Sequence, residues 1–140
     1  MSSPRSFSLA EANALIPSLD QTFRRLEALR KEIGARANEL ERLGVSALLR
    51  EGPEPPEVVE RRRILRERVG EFQSEMDKIE ELGGILFDLD LGLVDFPSRL
   101  DGREVLLSWQ FGEPAVIHYR TPGAELRERR RLRDADAPAS

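Results

Sequence analysis

The chain has 140 residues, enough for one domain, and 34% of them are charged, with a formal net charge of −4. This mild acidity argues against wholesale nucleic-acid binding. With no cysteine and one histidine, the chain cannot form disulfides, thiolate metal sites or multi-histidine sites. No apolar run reaches the ~18 residues of a membrane span, and residues 1–9 lack a signal-peptide core. We therefore expect a cytoplasmic protein.

The first predicted element is a helix from about Leu9 to Leu43. Ser8 and Glu11 have the spacing of a capping box, in which each side chain binds a free backbone amide at the helix start. Pro17 predicts either a kink or a separate short first helix. Beyond it, apolar residues recur every seven positions, which is typical of coiled-coil packing. These seam residues are Leu19, Leu26, Ile33 and Leu40.

A second helix is predicted from Pro56 or Glu57 to Leu82, after a proline-rich turn at residues 51–56. Gly83 and Gly84 end it. Its seam residues are Val58, Leu65, Val69, Phe72, Met76, Ile79 and Leu82. Two seamed helices joined by one turn predict an antiparallel hairpin roughly 40 Å long. A helix pair buries little surface alone, so we expect the sheet or a second copy of the chain to cover it, and we predict a homodimer.

The remaining ordered part is predicted to be a small antiparallel meander of three or four strands. The β-forming runs are residues 85–87, 93–96, 103–110 and 115–119. Pro97 is expected to end the second run, and Asp101-Gly102 is typical of a two-residue hairpin turn.

The predicted fold class is therefore α+β, with a long coiled-coil-like helix hairpin over residues 9–82 and a β-meander over residues 85–120. We expect a single domain over residues 1–126. Apolar periodicity is lost in the arginine-rich stretch that follows, so residues 127–140 are predicted to be a charged, disordered tail.

Five residues of the predicted sheet are candidates for a small-ligand site: Asp95, Trp109, Glu113, Tyr119 and Arg120. The two aromatic rings could form a floor for a planar ligand, and Arg120 could anchor an anion. Structural interpretations compete with this one. Asp95 could pair with Arg99, Arg103 or Arg120, the tryptophan could be core, and Glu113 could cap a turn.

Asp88 and Asp90, with Asp95, could hold a hard cation, but turn formation explains them as well, so we predict no metal site.

The arginine-rich tail is a candidate for anion or nucleic-acid contact. The residues concerned are Arg127, Arg129, Arg130 and Arg131. Arginine side chains grip phosphates. The glutamates and aspartates interleaved with them dilute the positive field, so a solvated charged terminus is the competing interpretation.

Three strings resemble a bacterial family known as domain of unknown function 2203, over about residues 7–127. They are Ser8-Leu9-Ala10-Glu11-Ala12-Asn13, Gly92-Leu93-Val94-Asp95-Phe96-Pro97, and Trp109 followed by Gly112-Glu113-Pro114. The resemblance implies no activity. In the family's pattern a cysteine often precedes the tryptophan, and a Trp-His pair follows the turn. This chain has Ser108 and Tyr119-Arg120 there, so it lacks two of the three ligands of any Cys, His and Glu metal site.

The sequence favours a non-enzymatic interaction or scaffold module that acts as a dimer and binds a protein partner, with no membrane contact. Neither a catalytic residue nor a cofactor is assigned. Two alternatives stay open: a small-ligand or metal-binding site on the sheet, and RNA or ribosome association through the arginine-rich tail.

Overall fold

A computed structural model describes residues 6–45, 52–123 and 128–133. The chain divides into two compact units, one formed by Met1–Phe23 with Lys78–Ser140 and the other by Arg24–Asp77. The helices are α1 (Leu9–Ala14), α2 (Ile16–Arg42) and α3 (Pro56–Glu81). The strands are β1 (Ile85–Asp88), β2 (Leu93–Leu100), β3 (Arg103–Gln110), β4 (His118–Arg120) and β5 (Arg130–Arg131). In the part of the chain that is described, no helix has the length and apolar character needed to cross a membrane.

The start of α1 confirms the predicted capping box. Glu11 N donates to Ser8 Oγ at 3.0 Å, and Ser8 N donates to Glu11 Oε1 at 2.9 Å. The helix ends at Leu15, whose backbone stays in the right-handed helical region, and α2 begins at the next residue. Pro17 therefore lies in the first turn of α2, where its missing N–H removes no helical hydrogen bond. Of the two predicted outcomes at Pro17, the structure shows the separate short helix.

The unit formed by residues 24–77 contains the antiparallel segments of α2 and α3. Ion pairs cross between them, among them Arg25–Glu71, Glu32–Arg68 and Glu39–Arg61. The residue number rises along α2 as its partner's number falls along α3, as an antiparallel pair requires. Leu40, Val58 and Leu65 form a buried cluster. Val69, predicted in the seam, is exposed instead. Coiled-coil supercoiling of this pair stays a prediction.

The sheet has five strands in the order β1-β2-β3-β4-β5, and every neighbouring pair is antiparallel. The predicted count of three or four strands is therefore wrong. The additional strand, Arg130–Arg131, lies in the stretch predicted to be a disordered tail, and it pairs with Tyr119 and His118 of β4. Two arginines carry no β-strand pattern of their own, so contacts with the rest of the sheet specify this strand. Arg127 and residues 134–140 lie outside the described residues.

Strand β2 continues through Pro97 to Leu100, so the prediction that Pro97 ends it is wrong. The Pro97 carbonyl accepts from Phe7 N at 2.7 Å, which means that it points away from β3. The proline nitrogen lies on the same side, because the N and C=O of one strand residue point in the same direction. Strand β1 reaches only as far as Asp95. Pro97 therefore removes no ladder hydrogen bond.

The Asp101-Gly102 hairpin is confirmed. Both residues have positive φ, 51° and 77°, as a type I′ turn requires, and Leu100 pairs with Arg103 across the loop. This turn fixes which side chains of β2 and β3 share a face.

The two faces of the sheet differ in character. The inner face carries Val94, Phe96, Val105, Leu107 and Trp109, all buried. Aromatic rings pack on it: Phe7 lies 5.1 Å from Phe96, and Phe23 lies 5.8 Å from Trp109 and 5.5 Å from Phe111, measured between ring centroids. The outer face is the opposite side, which carries Asp95, Ser108, His118 and Arg120.

The ion pairs of α2 and α3 predict a pH-dependent stability. Glu32 accepts hydrogen bonds from Arg36 Nε at 2.9 Å and Arg68 Nε at 2.5 Å, and these contacts hold its pKa below the ordinary value. A lowered carboxylate pKa stabilises the fold above the pKa of the unfolded chain, and this contribution is lost as the pH falls through the folded-state value. Glu32→Gln should therefore destabilise the protein at neutral pH, and the difference should shrink below about pH 4.

Urea unfolding of the wild type and the variant at neutral pH and at about pH 3 measures this difference. Glu27→Gln, at an exposed position of the same helix, is the control. A wild-type advantage over Glu32→Gln that stays constant across this pH range would contradict the explanation.

Candidate functional site

A single row of side chains crosses the outer face through all five strands. Ile85 lies opposite Asp95, Asp95 opposite Ser108, and Ser108 opposite His118. Arg131 of β5 completes the row opposite His118. Directly opposed residues of an antiparallel ladder point to the same side. The middle of this row is therefore polar, in contrast to the aromatic and aliphatic inner face.

Asp95 and Arg120 form a buried ion pair on the outer face. They are 1% and 3% exposed, and Arg120 Nη2 donates to Asp95 Oδ2. The ring of Phe87 lies against the guanidinium, 3.9 Å from Arg120 Cζ to the ring centroid. Asp95 Oδ1 is buried and has no hydrogen-bond partner within the described residues. The carboxylate therefore depends on Arg120 for the compensation of its buried charge.

A second group of polar residues, the Glu113 cluster, consists of Ser108, Glu113, His118 and Arg129. Glu113 Oε1 accepts from Gln110 N at 2.6 Å and from Arg129 Nη2 at 2.9 Å. The other carboxylate oxygen lies 3.3 Å from His118 Nδ1. The carboxylate thus closes the turn after β3 and also receives a guanidinium from the C-terminal segment.

Arg129 ties the C-terminal segment to the sheet at two points. Besides Glu113, it binds Ser108 on β3 through Nε to Oγ at 2.8 Å and through Nη2 to the carbonyl at 3.1 Å. Leu132 N donates to Ile117 O at 2.8 Å beyond it. The arginine therefore holds the two-residue strand β5 beside β4.

The five residues predicted as a ligand site do not line one surface. Asp95 and Arg120 lie on the outer face. Trp109 is fully buried on the inner face, with its indole N–H donating to Glu113 O at 2.9 Å. Tyr119 lies opposite Leu107 and so also points to the inner side, and Glu113 closes a turn. Ligand binding by this set stays a prediction, and each residue except Tyr119 has a specific structural contact.

The other candidate residues also divide into those with structural contacts and those that are exposed. Arg129 is engaged in the Glu113 cluster, whereas Arg130 and Arg131 are exposed. Asp88 accepts from Leu91 N at 2.9 Å and so acts as a turn residue. Among the residues that the structure describes, no three histidine, aspartate or glutamate side chains converge in a way that could hold a metal ion.

Sequence reasoning missed the roles of Ser108 and Arg129. In the sequence, Ser108 stands out only as a departure from a family pattern, and Arg129 only as part of a charged run. Their contact joins residues 21 positions apart. The available signal was the position of Ser108 in β3, directly opposite Asp95. A polar residue that is buried there needs a hydrogen-bond partner.

Breaking the buried pair should destabilise the protein strongly. Arg120→Ala leaves the Asp95 carboxylate buried without its cation, and such a change lowers the free energy of unfolding by about 3–5 kcal/mol. The exposed Arg99→Ala on β2 is the control, with an expected loss under about 1 kcal/mol. Urea unfolding of Asp95→Ala, Arg120→Ala and the double variant gives the coupling between them. If the two single losses simply add, the pair is not the coupled unit that its geometry implies.

Removing Arg129 should release β5 without unfolding the rest of the sheet. Arg129→Ala loses three hydrogen bonds, two of them to Ser108, so amide exchange at Leu132 should accelerate about tenfold or more. Hydrogen exchange followed by NMR measures this rate, and the amide of Leu107 in β3 serves as an internal reference. Arg130→Ala is the matched variant, because this exposed neighbour contributes to β5 through its backbone. Equal acceleration in both variants would show that Arg129 is not the anchor.

Comparisons with known proteins identify the family. Neither the search of curated proteins nor the search of solved structures returned a match. A family model described as an uncharacterised conserved protein, DUF2203, matches residues 5–132. The match spans both compact units, from the residues before the capping box to the end of β5. The chain therefore belongs to the DUF2203 family.

Proposed function

We propose that the protein is a non-enzymatic interaction module that binds a protein partner through the outer edge of β1. The observation that carries this proposal is the exposure of two large apolar side chains on an edge strand. Ile85 is 48% exposed and Phe87 is 41% exposed, and both belong to β1, which pairs on one side with β2. An edge strand presents unpaired backbone groups, so a partner chain can extend the sheet there.

The other described edges of the sheet do not offer such a surface. The far edge is β5, whose two residues are exposed arginines, and charged edge residues discourage pairing with another chain. The part of β2 that extends beyond β1 is joined by Phe7, which donates to Pro97 O. Strand β1 has no charged residue before Asp88. This contrast favours β1 as the surface that contacts a partner.

The non-enzymatic part of the proposal rests on how the reactive side chains are used. The Asp95 carboxylate pairs with Arg120, and the Glu113 carboxylate receives Gln110 N and Arg129. A general acid or base must reach the proton that it transfers. Asp95 holds a buried arginine, and Glu113 holds a partly buried one and closes a turn, so both carboxylates have structural roles, which supports an interaction role over catalysis.

RNA association is the second candidate function. Arg130 and Arg131 are exposed on β5 and could contact phosphates. The support is weaker than for a protein partner, because Arg129 is engaged within the sheet and the net charge of the whole chain is −4. RNA binding of this kind would weaken steeply as the salt concentration rises.

Photo-crosslinking in the cell of origin tests the proposal. A benzoylphenylalanine at position 85 should yield protein adducts at several times the level obtained from the same group at position 117. Ile117 is the matched control, since it is also apolar and is 37% exposed, but it lies beside β4 rather than on β1. Equal yields at the two positions, or no protein adduct from position 85, would refute a β1 docking surface. Ribonuclease-sensitive adducts from position 117, whose carbonyl accepts from Leu132 N next to β5, would instead support the RNA candidate.

A further inference from the structure

We infer that the partner at β1 is a second copy of this chain, paired antiparallel with Leu86 opposite Leu86 of the second copy. This inference rests on the proposed function and specifies its partner. The relevant segment is Gly84-Ile85-Leu86-Phe87-Asp88. Whether such a strand can pair with itself depends on what each side chain meets across a two-fold axis, because the same surface must serve both copies.

The segment is complementary to itself in charge and shape. Centred on Leu86, the pairing places Ile85 opposite Phe87 of the second copy, twice over. Aromatic and β-branched side chains form favourable cross-strand pairs. Asp88 meets Gly84 of the second copy, so no carboxylate faces a carboxylate. Ile85 and Phe87 of each copy would thus be covered by Phe87 and Ile85 of the other.

Neighbouring registers fit less well. Ile85 and Phe87 share the outer face, although the ladder of β1 with β2 is irregular between Leu86 and Asp88: Ile85 lies opposite Asp95, and the Phe87 ring lies against Arg120. A register centred on Ile85 places Phe87 opposite Gly83, which has no side chain to cover the ring. A register centred between Leu86 and Phe87 places Asp88 opposite Ile85. Only the register centred on Leu86 gives both exposed residues an apolar partner from β1 itself.

A second copy also fits better than a charged peptide. The first three residues of β1 are apolar, and Ile85 and Phe87 present large hydrophobic surfaces to solvent. A partner strand must therefore present apolar side chains at alternate positions. The chain carries such a strand itself, at the same exposed edge.

A single-cysteine experiment tests this register directly. The chain contains no cysteine, so each variant has one thiol per copy. Directly opposed residues of antiparallel strands have Cα atoms about 4.5–5.5 Å apart, within the range that a disulfide spans. Purified Leu86→Cys should therefore give mostly covalent dimer on mild oxidation. The control, Leu91→Cys, places its thiol at an exposed site in the turn after β1, and should give little.

Sedimentation velocity of the purified protein supplies the second measurement. The wild type should sediment as a dimer at micromolar concentration, and Ile85→Lys should raise the dissociation constant at least tenfold, because it places a charge on each edge. Circular dichroism and the urea midpoint must show that Ile85→Lys is folded. If Ile85→Lys is not folded, the β1 pairing is tested by the disulfide yields of Leu86→Cys and Leu91→Cys.

The outcomes separate this inference from the proposal on which it rests. A dimer with a selective disulfide at position 86 supports both. A dimer that Ile85→Lys leaves intact, or equal disulfide yields at positions 86 and 91, overturns the β1 pairing. A protein that stays monomeric while position 85 crosslinks to a different protein overturns the second copy and leaves the interaction module standing. A monomer with no adduct at position 85 overturns both.

Discussion

The buried ion pair between Asp95 and Arg120 is a strong constraint on the arrangement of the sheet. It joins β2 to β4 across the intervening strand β3, with both charges almost fully removed from water. Taking two ions out of water is expensive, and hydrophobic replacement is often no worse for stability. Its value here is in the register. A slip of β2 by one residue would turn the Asp95 carboxylate toward Leu107, Trp109 and the rest of the inner core, and would turn Phe96 outward.

The same principle extends to the C-terminal segment. A two-residue strand has almost no intrinsic stability, yet β5 lies beside β4 because Arg129 reaches Ser108 and Glu113. Two carboxylate–arginine contacts therefore hold parts of the sheet together. Asp95–Arg120 is buried on the outer face, and Glu113–Arg129 lies at its margin. The polar groups that first suggest a ligand site are thereby occupied with holding strands together. Ile85 and Phe87 of β1 are exposed apolar residues that lie on an edge strand of this sheet and so can meet a partner.

The elements that the sequence predicted well are those with local causes. Ser8 and Glu11 are three residues apart, Asp101-Gly102 needs only its own positive φ angles, and β3 has its predicted bounds. The errors depend on distant contacts. Pro97 stays in β2 because Phe7 binds its carbonyl, and β5 forms because of Arg129. For the candidate site, pairing of Asp95 with Arg120 was among the alternatives, but the separation of the aromatic candidates onto the opposite face required the strand register.

The two edges of the sheet differ in chemistry, because β1 is mostly apolar and β5 consists of two arginines. This difference limits how many copies could join edge to edge. In the dimer that we propose, the β1 strands meet at the centre, and Ile85 of each copy lies opposite Phe87 of the other. Arg130 and Arg131 then form both outer ends of the extended sheet. Arginines at an edge oppose further strand addition, since a third copy would bring like charges together. A two-fold pairing of the apolar edges is closed, so the charged edges would stop growth at two copies.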